Sequence, residues 1–316
     1  MPLSTDAWPA GLVGARPLIA VVVDGFDWHA RELTRAFADR GALTVPASLE
    51  RCEFTTQSAF GLRIDGCADR LPDAILVRSM SGGTFEAVTL RLGFLHALRE
   101  LGVPVWNDAR TIERCVDKSA TSFLLARAGI VTPPTWTVET REAAVAIVRR
   151  ETTSGPLVLK PLFGSQGRGL RLIRSEHDLP EAQVVAGVFY LQRFVGVERD
   201  GFRDFRLLVL QGRVIAAMVR HASGWITNVK QGGKPMAAVV EGEATDLAIR
   251  AAAAVGASFA GVDLIYGSDA RPTVLEVNSM PAWSGLQKVT PANIAATLAG
   301  DLLASLETGA RRGAGM

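Results

Sequence analysis

The chain has 316 residues, enough for two or three domains of ordinary size and a substantial buried core. Its net charge is only +2 and its lysines and arginines are scattered, which argues against a nucleic-acid-binding surface. Three widely spaced cysteines and the lack of an N-terminal signal pattern predict a reduced, cytoplasmic protein, and the apolar run at residues 18–23 is far too short to span a membrane.

The first third of the chain alternates short apolar runs with helical spacings. The predicted strands lie at residues 18–24, 74–78 and 103–106, and the predicted helices at 28–40 and 85–101. This alternation predicts a small parallel α/β domain over residues 1–110. Ligands of such sheets bind beyond the carboxyl ends of the strands, where Arg78 lies. Two roles are therefore possible for Arg78, contact with a substrate and a surface salt bridge.

The rest of the chain has short strand patterns with fewer helices between them. The predicted helices lie at residues 111–128, 139–150, 244–255 and 291–306. The predicted strands before the last hairpin lie at 135–138, 157–160, 170–173, 185–194, 204–210 and 213–220.

Residues 261–278 predict a hairpin that carries acidic side chains on one face. Because alternate side chains of a strand face opposite ways, Glu276 and Asn278 share one face of the second strand. If the hairpin folds about Asp269 and Ala270, Asp263 comes level with Glu276 on that face. Like charges opposite each other destabilise paired strands, and a hard cation held by oxygen ligands would remove that penalty, which suits magnesium. A solvated polar face on an edge hairpin is the alternative.

A glycine-rich loop, residues 161–169, joins two predicted strands. Its composition predicts a flexible flap whose backbone N–H groups can cradle phosphate oxygens, although a plain hairpin turn is the alternative. It is not a Walker loop, because the Gly-Lys-Ser/Thr ending and the following helix are missing. Lys160 ends the apolar strand before the loop, and a buried lysine there needs a partner such as an anionic phosphate.

Several motifs in one order resemble those of ATP-grasp ligases, and more narrowly the RimK-like branch, whose members attach glutamate or a similar amino acid to a carboxylate. The matching segments are Asp117-Lys118, residues 158–162 (VLKPL), 164–169 (GSQGRG), 204–206 (DFR), Asn228 with Gly232-Gly233, 261–263 (GVD) and 276–278 (EVN). Residues 114–118 (RCVDK) also resemble pterin-cofactor ligases of tetrahydromethanopterin biosynthesis. The resemblance implies an ATP-grasp fold: an N-terminal Rossmann-like pre-ATP-grasp α/β domain, residues 1–110, and two α+β lobes, residues 111–190 and 191–316.

The resemblance also implies roles for individual residues, with ATP and Mg²⁺ as cofactors and Mn²⁺ as an alternative metal. The implied roles are phosphate contact for Lys118 and Lys160, flap closure for Ser165, Gln166 and Gly167, purine contact for Gln192, Arg193 and Phe194, ribose contact for Asp204, nucleotide contact for Asn228, and metal binding for Asp263, Glu276 and Asn278. Two positions depart from the family pattern. Arg193 stands where the family usually has glutamate, and Ile226 stands where it has arginine.

The residue types fit activation of a carboxylate as an acyl phosphate, followed by attack of an amine, which needs charge stabilisation rather than a protein nucleophile. Lys160 and Arg206 are the predicted catalytic residues, and a structural pair with Asp204 is the alternative for Arg206. The predicted partners are a small-molecule carboxylate, an amino acid with L-glutamate as the leading one, and a second copy in a homodimer. Other ATP-grasp activities remain alternatives, including a different amino-acid or peptide ligase and a ribosomal-protein glutamate ligase, as does a nucleotide-binding regulatory protein.

Overall fold

The computed structural model describes residues 16–164, 166–196, 201–267 and 270–313, with side chains described as far as residue 308. Its residues group into two compact units. Of the described residues, the first unit contains 16–106 and 295–313, and the second contains those of Asn107–Ile294. The C-terminal helix therefore groups with the N-terminal unit, whereas the sequence prediction assigns it to the last lobe. The division at residues 110 and 190 stays a prediction.

Short strands and helices make up both units. The strands are β1 Leu18–Val22, β2 Leu43–Ala47, β3 Glu53–Phe54, β4 Leu62–Arg63, β5 Ala74–Val77, β6 Val105–Trp106, β7 Thr135–Val138, β8 Leu157–Lys160, β9 Arg171–Ile173, β10 Phe189–Arg193, β11 Phe202–Leu210, β12 Arg213–Ala222, β13 Lys234–Ala237, β14 Phe259–Tyr266 and β15 Pro272–Asn278. The helices are α1 Trp28–Ala38, α2 Phe85–Glu100, α3 Ala109–Val116, α4 Lys118–Arg127, α5 Arg141–Glu151, α6 Glu243–Val255, α7 Ser284–Gln287 and α8 Ile294–Gly313. No helix within the described residues has the length and apolar composition needed to cross a membrane.

The first unit contains the predicted parallel α/β sheet, in the strand order β2-β1-β5-β6. Strand β1 is apolar and buried along its whole length, as expected for a central strand of such a sheet. Helix α1 begins where the Asp27 carboxylate accepts a hydrogen bond from the Ala30 N–H group. The chain turns at Gly41 with a φ of 80°, in the left-handed region that favours glycine. The predicted α/β class is confirmed.

Arg78 follows β5 at the carboxyl edge of this sheet, and its side chain is only 10% exposed. One guanidinium nitrogen lies 3.1 Å from Nδ1 of His29 and 3.9 Å from a carboxylate oxygen of Asp27. Arg78 thus forms a salt bridge with the half-exposed Asp27, as one of its two interpretations predicts, although its own side chain is mostly buried. Its contact with a substrate stays a prediction.

The second unit contains two antiparallel sheets, ordered β7-β10-β8-β9 and β13-β12-β11-β14-β15. Helix α5 packs on the first sheet, and α6 packs on the second through the small side chains of its alanine-rich face. Strand β10 begins at Phe189, four residues later than predicted, because residues 182–185 form a 3-10 turn. Ala186 and Gly187 then have φ angles of 50° and 80°, which an extended strand cannot contain.

Strands β14 and β15 form the predicted acidic hairpin. Asp263 lies directly opposite Glu276, as a hairpin folded about residues 269 and 270 predicts. The pairing register shifts after Asp263, which marks a bulge beside the two carboxylates. Part of the predicted turn, residues 268 and 269, lies outside the described residues.

Candidate active site

Residues from both sheets of the second unit line a cavity of about 370 Å³, a size typical of small-molecule sites. Most of the predicted site residues line this cavity: Lys118, Lys160, Gln166, Gly167, Gln192, Arg193, Phe194, Asp204, Asn228, Asp263 and Glu276. Arg206 and Asn278 join them through hydrogen bonds to Asp263 and Glu276 respectively. Ser165 lies outside the described residues. The structure thus brings together residues that are spread over more than 150 positions of the sequence.

Lys160 ends β8 with its side chain buried against the cavity. Burial disfavours the charged ammonium and lowers the pKa of Lys160, while the carboxylate of Glu276 partly opposes this effect. The positive charge of Lys118 lowers the pKa further. An anionic ligand in the cavity would therefore stabilise the ammonium form of Lys160.

Lys118 is the first residue of α4, whose start is capped by the Asp117 carboxylate. Its ammonium donates to the carbonyl oxygens of Leu162 and Gly164, at 3.2 and 2.9 Å. These carbonyls belong to the glycine-rich loop, so Lys118 ties the base of the predicted flap to α4. Burial lowers the pKa of Lys118 as well.

The tip of the flap packs closely on the segment that contains Asn228. Gly167 has a φ of 72°, and a Cβ atom added to it would lie 2.6 Å from Oδ1 of Asn228 and 2.9 Å from a methyl carbon of Ile226. Both the backbone angle and this close approach therefore require glycine at position 167. Ile226, where the family has arginine, contributes an apolar surface below the flap.

Four charged residues, three of them buried, form a continuous network on one face of the second sheet. The guanidinium of Arg206 donates to both carboxylate oxygens of Asp263, at 2.7 and 2.6 Å. Arg220 also contacts Asp263, at 2.9 Å, and donates through two nitrogens to both carboxylate oxygens of Asp204. Arg220, Asp204 and Asp263 are each less than 5% exposed. Such bidentate pairs are the strongest form of charge-assisted hydrogen bonding.

The partners in this network follow from the strand register. Arg206 lies opposite Asp263 on β14, and Asp204 lies opposite Arg220 on β12. The alternative that Arg206 pairs with Asp204 is therefore wrong, since each of them meets a partner on a different neighbouring strand. Burial would favour the neutral acid of Asp263, but the charges of Arg206 and Arg220 outweigh it and hold the pKa of Asp263 below its ordinary value.

The three predicted metal ligands lie together at the end of the hairpin. The side-chain amide of Asn278 donates to Oε1 of Glu276 at 3.1 Å, which leaves the amide oxygen of Asn278 as an acceptor. Two carboxylates and one amide oxygen suit a hard cation such as Mg²⁺. In the described part of the chain, no three His, Cys, Asp or Glu side chains are grouped to hold a metal ion, so the set depends on the amide.

Arginines already supply part of the positive charge that the sequence argument assigned to a metal. Asp263 is bonded by two of them, whereas Glu276 lies 3.9 Å from the guanidinium of Arg206. The oxygen donors are of the type that Mg²⁺ prefers. Glu276 is bound less tightly by arginine than Asp263 is, so it is the carboxylate more available to a metal ion. Metal binding by Asp263, Glu276 and Asn278 stays a prediction.

Several residues in or next to the site were not predicted from the sequence. Tyr190 accepts a hydrogen bond from Gln192 at 3.4 Å, and its hydroxyl lies 2.7 Å from that of Ser122. Tyr190 could have been found, because it lies two residues from Gln192 and shares its face of β10. The aromatic side chains of Phe202 and Trp225 line the cavity near Phe194. No local pattern distinguishes them from ordinary core residues.

Comparison with known proteins shows which family this chain resembles. A family model described as the RimK-like ATP-grasp domain matches residues 115–302. The tetrahydromethanopterin:alpha-L-glutamate ligase of Methanosarcina acetivorans is 30% identical over 303 residues, covering 84% of this chain and 92% of that protein. The ligase of the same name from Methanocaldococcus jannaschii is 36% identical over 234 residues, covering 71% and 76% of the two chains.

A solved structure supports the fold over a longer part of the chain. The ATP-grasp ligase PsnB, solved with a minimal precursor, Mg and ADP, superposes with a TM-score of 0.70 and 23% sequence identity. The match covers 92% of this chain and 98% of PsnB, so it extends the ATP-grasp assignment beyond the residues matched by the family model. The predicted ATP-grasp fold is therefore confirmed, and this chain belongs to the RimK-like ATP-grasp family of ATP-dependent ligases.

Proposed function

We propose that this protein forms an amide bond between L-glutamate and a small pterin-like carboxylate acceptor, using ATP. The observation that carries the proposal is the cavity in which the buried Lys160, the partly buried Lys118, the glycine-rich flap and the acidic hairpin meet. This arrangement suits a polyphosphate. The lysines would neutralise part of its negative charge, and the flap would enclose its oxygens. The names of the M. acetivorans and M. jannaschii relatives support glutamate and a pterin as the substrates.

The proposed reaction has two steps. An oxygen of the acceptor carboxylate attacks the γ-phosphorus of ATP, the bond to the bridging oxygen breaks, and ADP leaves. The free amine of glutamate then attacks the acyl carbon of the acyl phosphate. Phosphate leaves with the electrons of the broken C–O bond, and the nitrogen loses a proton to give the amide. Neither step needs a protein nucleophile, and the predicted site residues contain no Ser/His/Asp or Cys/His set that would activate one.

The residues of this chain position and stabilise the reacting groups. Lys118 and Lys160 contact the phosphates. The flap residues Ser165, Gln166 and Gly167 cover the phosphates. Arg206 stabilises the transferring phosphoryl group from its place against Asp263. Gln192 and Phe194 contact the purine, Asp204 the ribose, and Asn228 the nucleotide below the flap.

A divalent metal completes the proposed site. Glu276, Asn278 and Asp263 would hold Mg²⁺, with Mn²⁺ as the alternative. When bound, the ion supplies positive charge to the phosphate oxygens. A homodimer and a cytoplasmic location are part of the same proposal, and light scattering of the purified protein checks the first of these.

The proposal is tested by incubating the protein with ATP, Mg²⁺ and L-glutamate, with and without a pterin carboxylate, and following ADP and the mass of the acceptor. The expected result is ADP release that depends on the acceptor, with an acceptor mass increased by one glutamyl unit. ADP release without a glutamyl product would contradict the assignment of these substrates, but it would remain consistent with an ATP-dependent ligase. Other acids, amines and peptides would then replace them in the assay.

Exchanging Glu276 for glutamine is expected to weaken metal binding by about 10–100-fold, since even the outer partners of metal ligands contribute this much. The substitution keeps the shape of the side chain and removes its charge. Electron paramagnetic resonance of Mn²⁺ titrated into the protein without nucleotide measures the affinity directly. Glu243→Gln, an exposed carboxylate at the start of α6, is the control. Equal Mn²⁺ affinity in both variants would remove Glu276 from the metal site.

Binding of ATP is expected to take up protons at alkaline pH. The pKa of Lys160 lies below 10.5 because of burial, so part of this lysine is neutral as the pH approaches that value. A bound phosphate favours the ammonium form, which raises its pKa and draws in at most about one proton per lysine. ATP affinity therefore falls as the pH rises through the lowered pKa.

Calorimetric titration in two buffers of different ionisation enthalpy measures this proton uptake. Lys160→Met is expected to remove part of it, and the rest belongs to Lys118, whose pKa is also lowered by burial. Uptake that is unchanged in Lys160→Met would show that this lysine does not meet the phosphates.

A further inference from the structure

The side chain of Arg193, at the end of β10, is engaged by other parts of the protein. One terminal nitrogen donates to the backbone carbonyls of Glu151 and Gly155, at 2.9 and 2.7 Å. The other donates to the Glu151 carboxylate at 2.9 Å. The guanidinium carbon also lies 5.7 Å from the ring centre of Trp136 on β7, in the range of a cation–π contact.

These partners lie where the chain passes from α5 into β8. Glu151 is the last residue of α5, and its carbonyl is one of those that a helix end leaves without an intrahelical partner. Gly155 follows the 3-10 turn Thr152–Ser154 with a φ of 126°. Arg193 thus closes the end of the helix and the turn after it with one planar side chain, which suits the fixed fork of a guanidinium.

The backbone around Arg193 is tied to the same region. Its N–H group donates to the carbonyl of Pro134 at 2.8 Å, and the next N–H group, that of Phe194, donates to the carbonyl of Pro156 at 3.1 Å. Strand β10 pairs with β8 so that Arg193 lies opposite Leu157 and Tyr190 lies opposite Lys160. These backbone contacts hold residues 192–194 against β8, the strand that carries Lys160.

We propose that Arg193 is a positioning residue for nucleotide binding, which fixes residues 192–194 and β8 around the cavity through Glu151 and Gly155 without touching the nucleotide itself. The inference rests on the proposed nucleotide site. It also gives a role to one of the two positions at which this chain departs from the family pattern, the one where glutamate is usual. Here the charged side chain binds the adjoining helix end, and nucleotide contact is left to the neighbouring residues.

Arg193→Met is expected to raise the dissociation constant and KM for ATP by about 10-fold, similar to the loss of other outer contacts of a site. The value of kcat at saturating ATP is expected to change by less than about two-fold, because the reacting groups lie elsewhere. Arg193→Lys keeps the charge but not the fork of the guanidinium. Its dissociation constant and KM for ATP are expected to lie between those of the unchanged protein and those of Arg193→Met. Calorimetry with ATP and steady-state kinetics give these values, and thermal unfolding records whether each variant is folded.

The two arginines that bond Glu151 provide a matched control. Arg150 contacts the same carboxylate at 2.8 Å, but its side chain is 63% exposed. Arg150→Met is therefore expected to leave ATP binding unchanged. Glu151→Gln is expected to raise KM for ATP by a smaller factor than Arg193→Met does. The double variant is expected to bind ATP no more weakly than Arg193→Met, because the two substitutions break the same interaction.

The outcomes separate this inference from the proposed function. A folded Arg193→Met protein with unchanged ATP affinity overturns the inference alone, as does equal weakening in Arg150→Met. A reduced unfolding temperature with unchanged ATP affinity would assign Arg193 a purely structural role. If Arg193→Met does not fold, Arg193→Lys and Glu151→Gln give the same comparison. Absence of ATP binding by the unchanged protein would overturn the proposed function and this inference with it.

Discussion

Exchanging Lys160 for methionine is expected to lower ligase turnover by about 10²–10³-fold, the usual loss when a charge aimed at the transition state is removed. The ammonium of Lys160 is buried beside the cavity, where surrounding water screens it little. Turnover is measured as ADP release under saturating substrates. Lys234→Met, an exposed lysine of the edge strand β13, is the matched control and is expected to keep full activity.

The same substitution is expected to leave the protein as stable as before, or more stable. Between the lowered pKa of Lys160 and 10.5, the folded protein binds fewer protons than the unfolded chain, so the free energy of unfolding rises with pH in that window. Below the lowered pKa the cost of burying the ammonium is present in full, and methionine removes it. Urea denaturation at neutral pH measures the difference. A large loss of stability would mean that Lys160 supports the fold rather than the reaction.

Exchanging Arg220 for methionine is expected to lower the free energy of unfolding by about 3–5 kcal/mol, because one partner of a buried ion pair is removed and the other is left. Arg220 bonds Asp204 through two nitrogens, and both side chains are almost fully buried. Asp263 retains Arg206 in the variant, so Asp204 is the carboxylate most affected. Urea denaturation measures the loss.

The loss is expected to depend on pH. Burial raises the pKa of Asp204, and the charge of Arg220 opposes that effect in the unchanged protein. Without Arg220, the folded state holds a proton on Asp204 at a pH where the unfolded chain has released it, so stability falls as pH rises through that window. The deficit is thus smaller in acid than at neutral pH.

Arg213→Met, at the exposed start of the same strand, is the control, with an expected change within about 0.5 kcal/mol. A loss of less than about 1 kcal/mol in Arg220→Met would mean that water reaches Asp204 in the variant. The activity of the same variant is informative as well, since Arg220 touches both Asp204 and Asp263.

The acidic hairpin shows how far local pattern can lead. Side-chain alternation predicts the faces on which Asp263 and Glu276 lie, and the predicted fold about residues 269 and 270 brings them opposite each other, as the strand pairing has them. Alternation says nothing about Arg220, which follows Asp204 by 16 residues and meets it only because β11 and β12 pair in one register. The same holds for Arg193, whose partners Glu151 and Gly155 lie about 40 residues earlier in the chain.

By itself, the sequence determined the alternation of strands and helices, the glycine-rich flap, the lysine at the end of β8 and the acidic hairpin, because each depends on residues close together in the chain. The order of these motifs also determined the family. Only the tertiary structure decided which cation meets which carboxylate, and that Arg193 binds a helix end. Those contacts depend on strand register and on the packing of distant segments, which no local periodicity encodes.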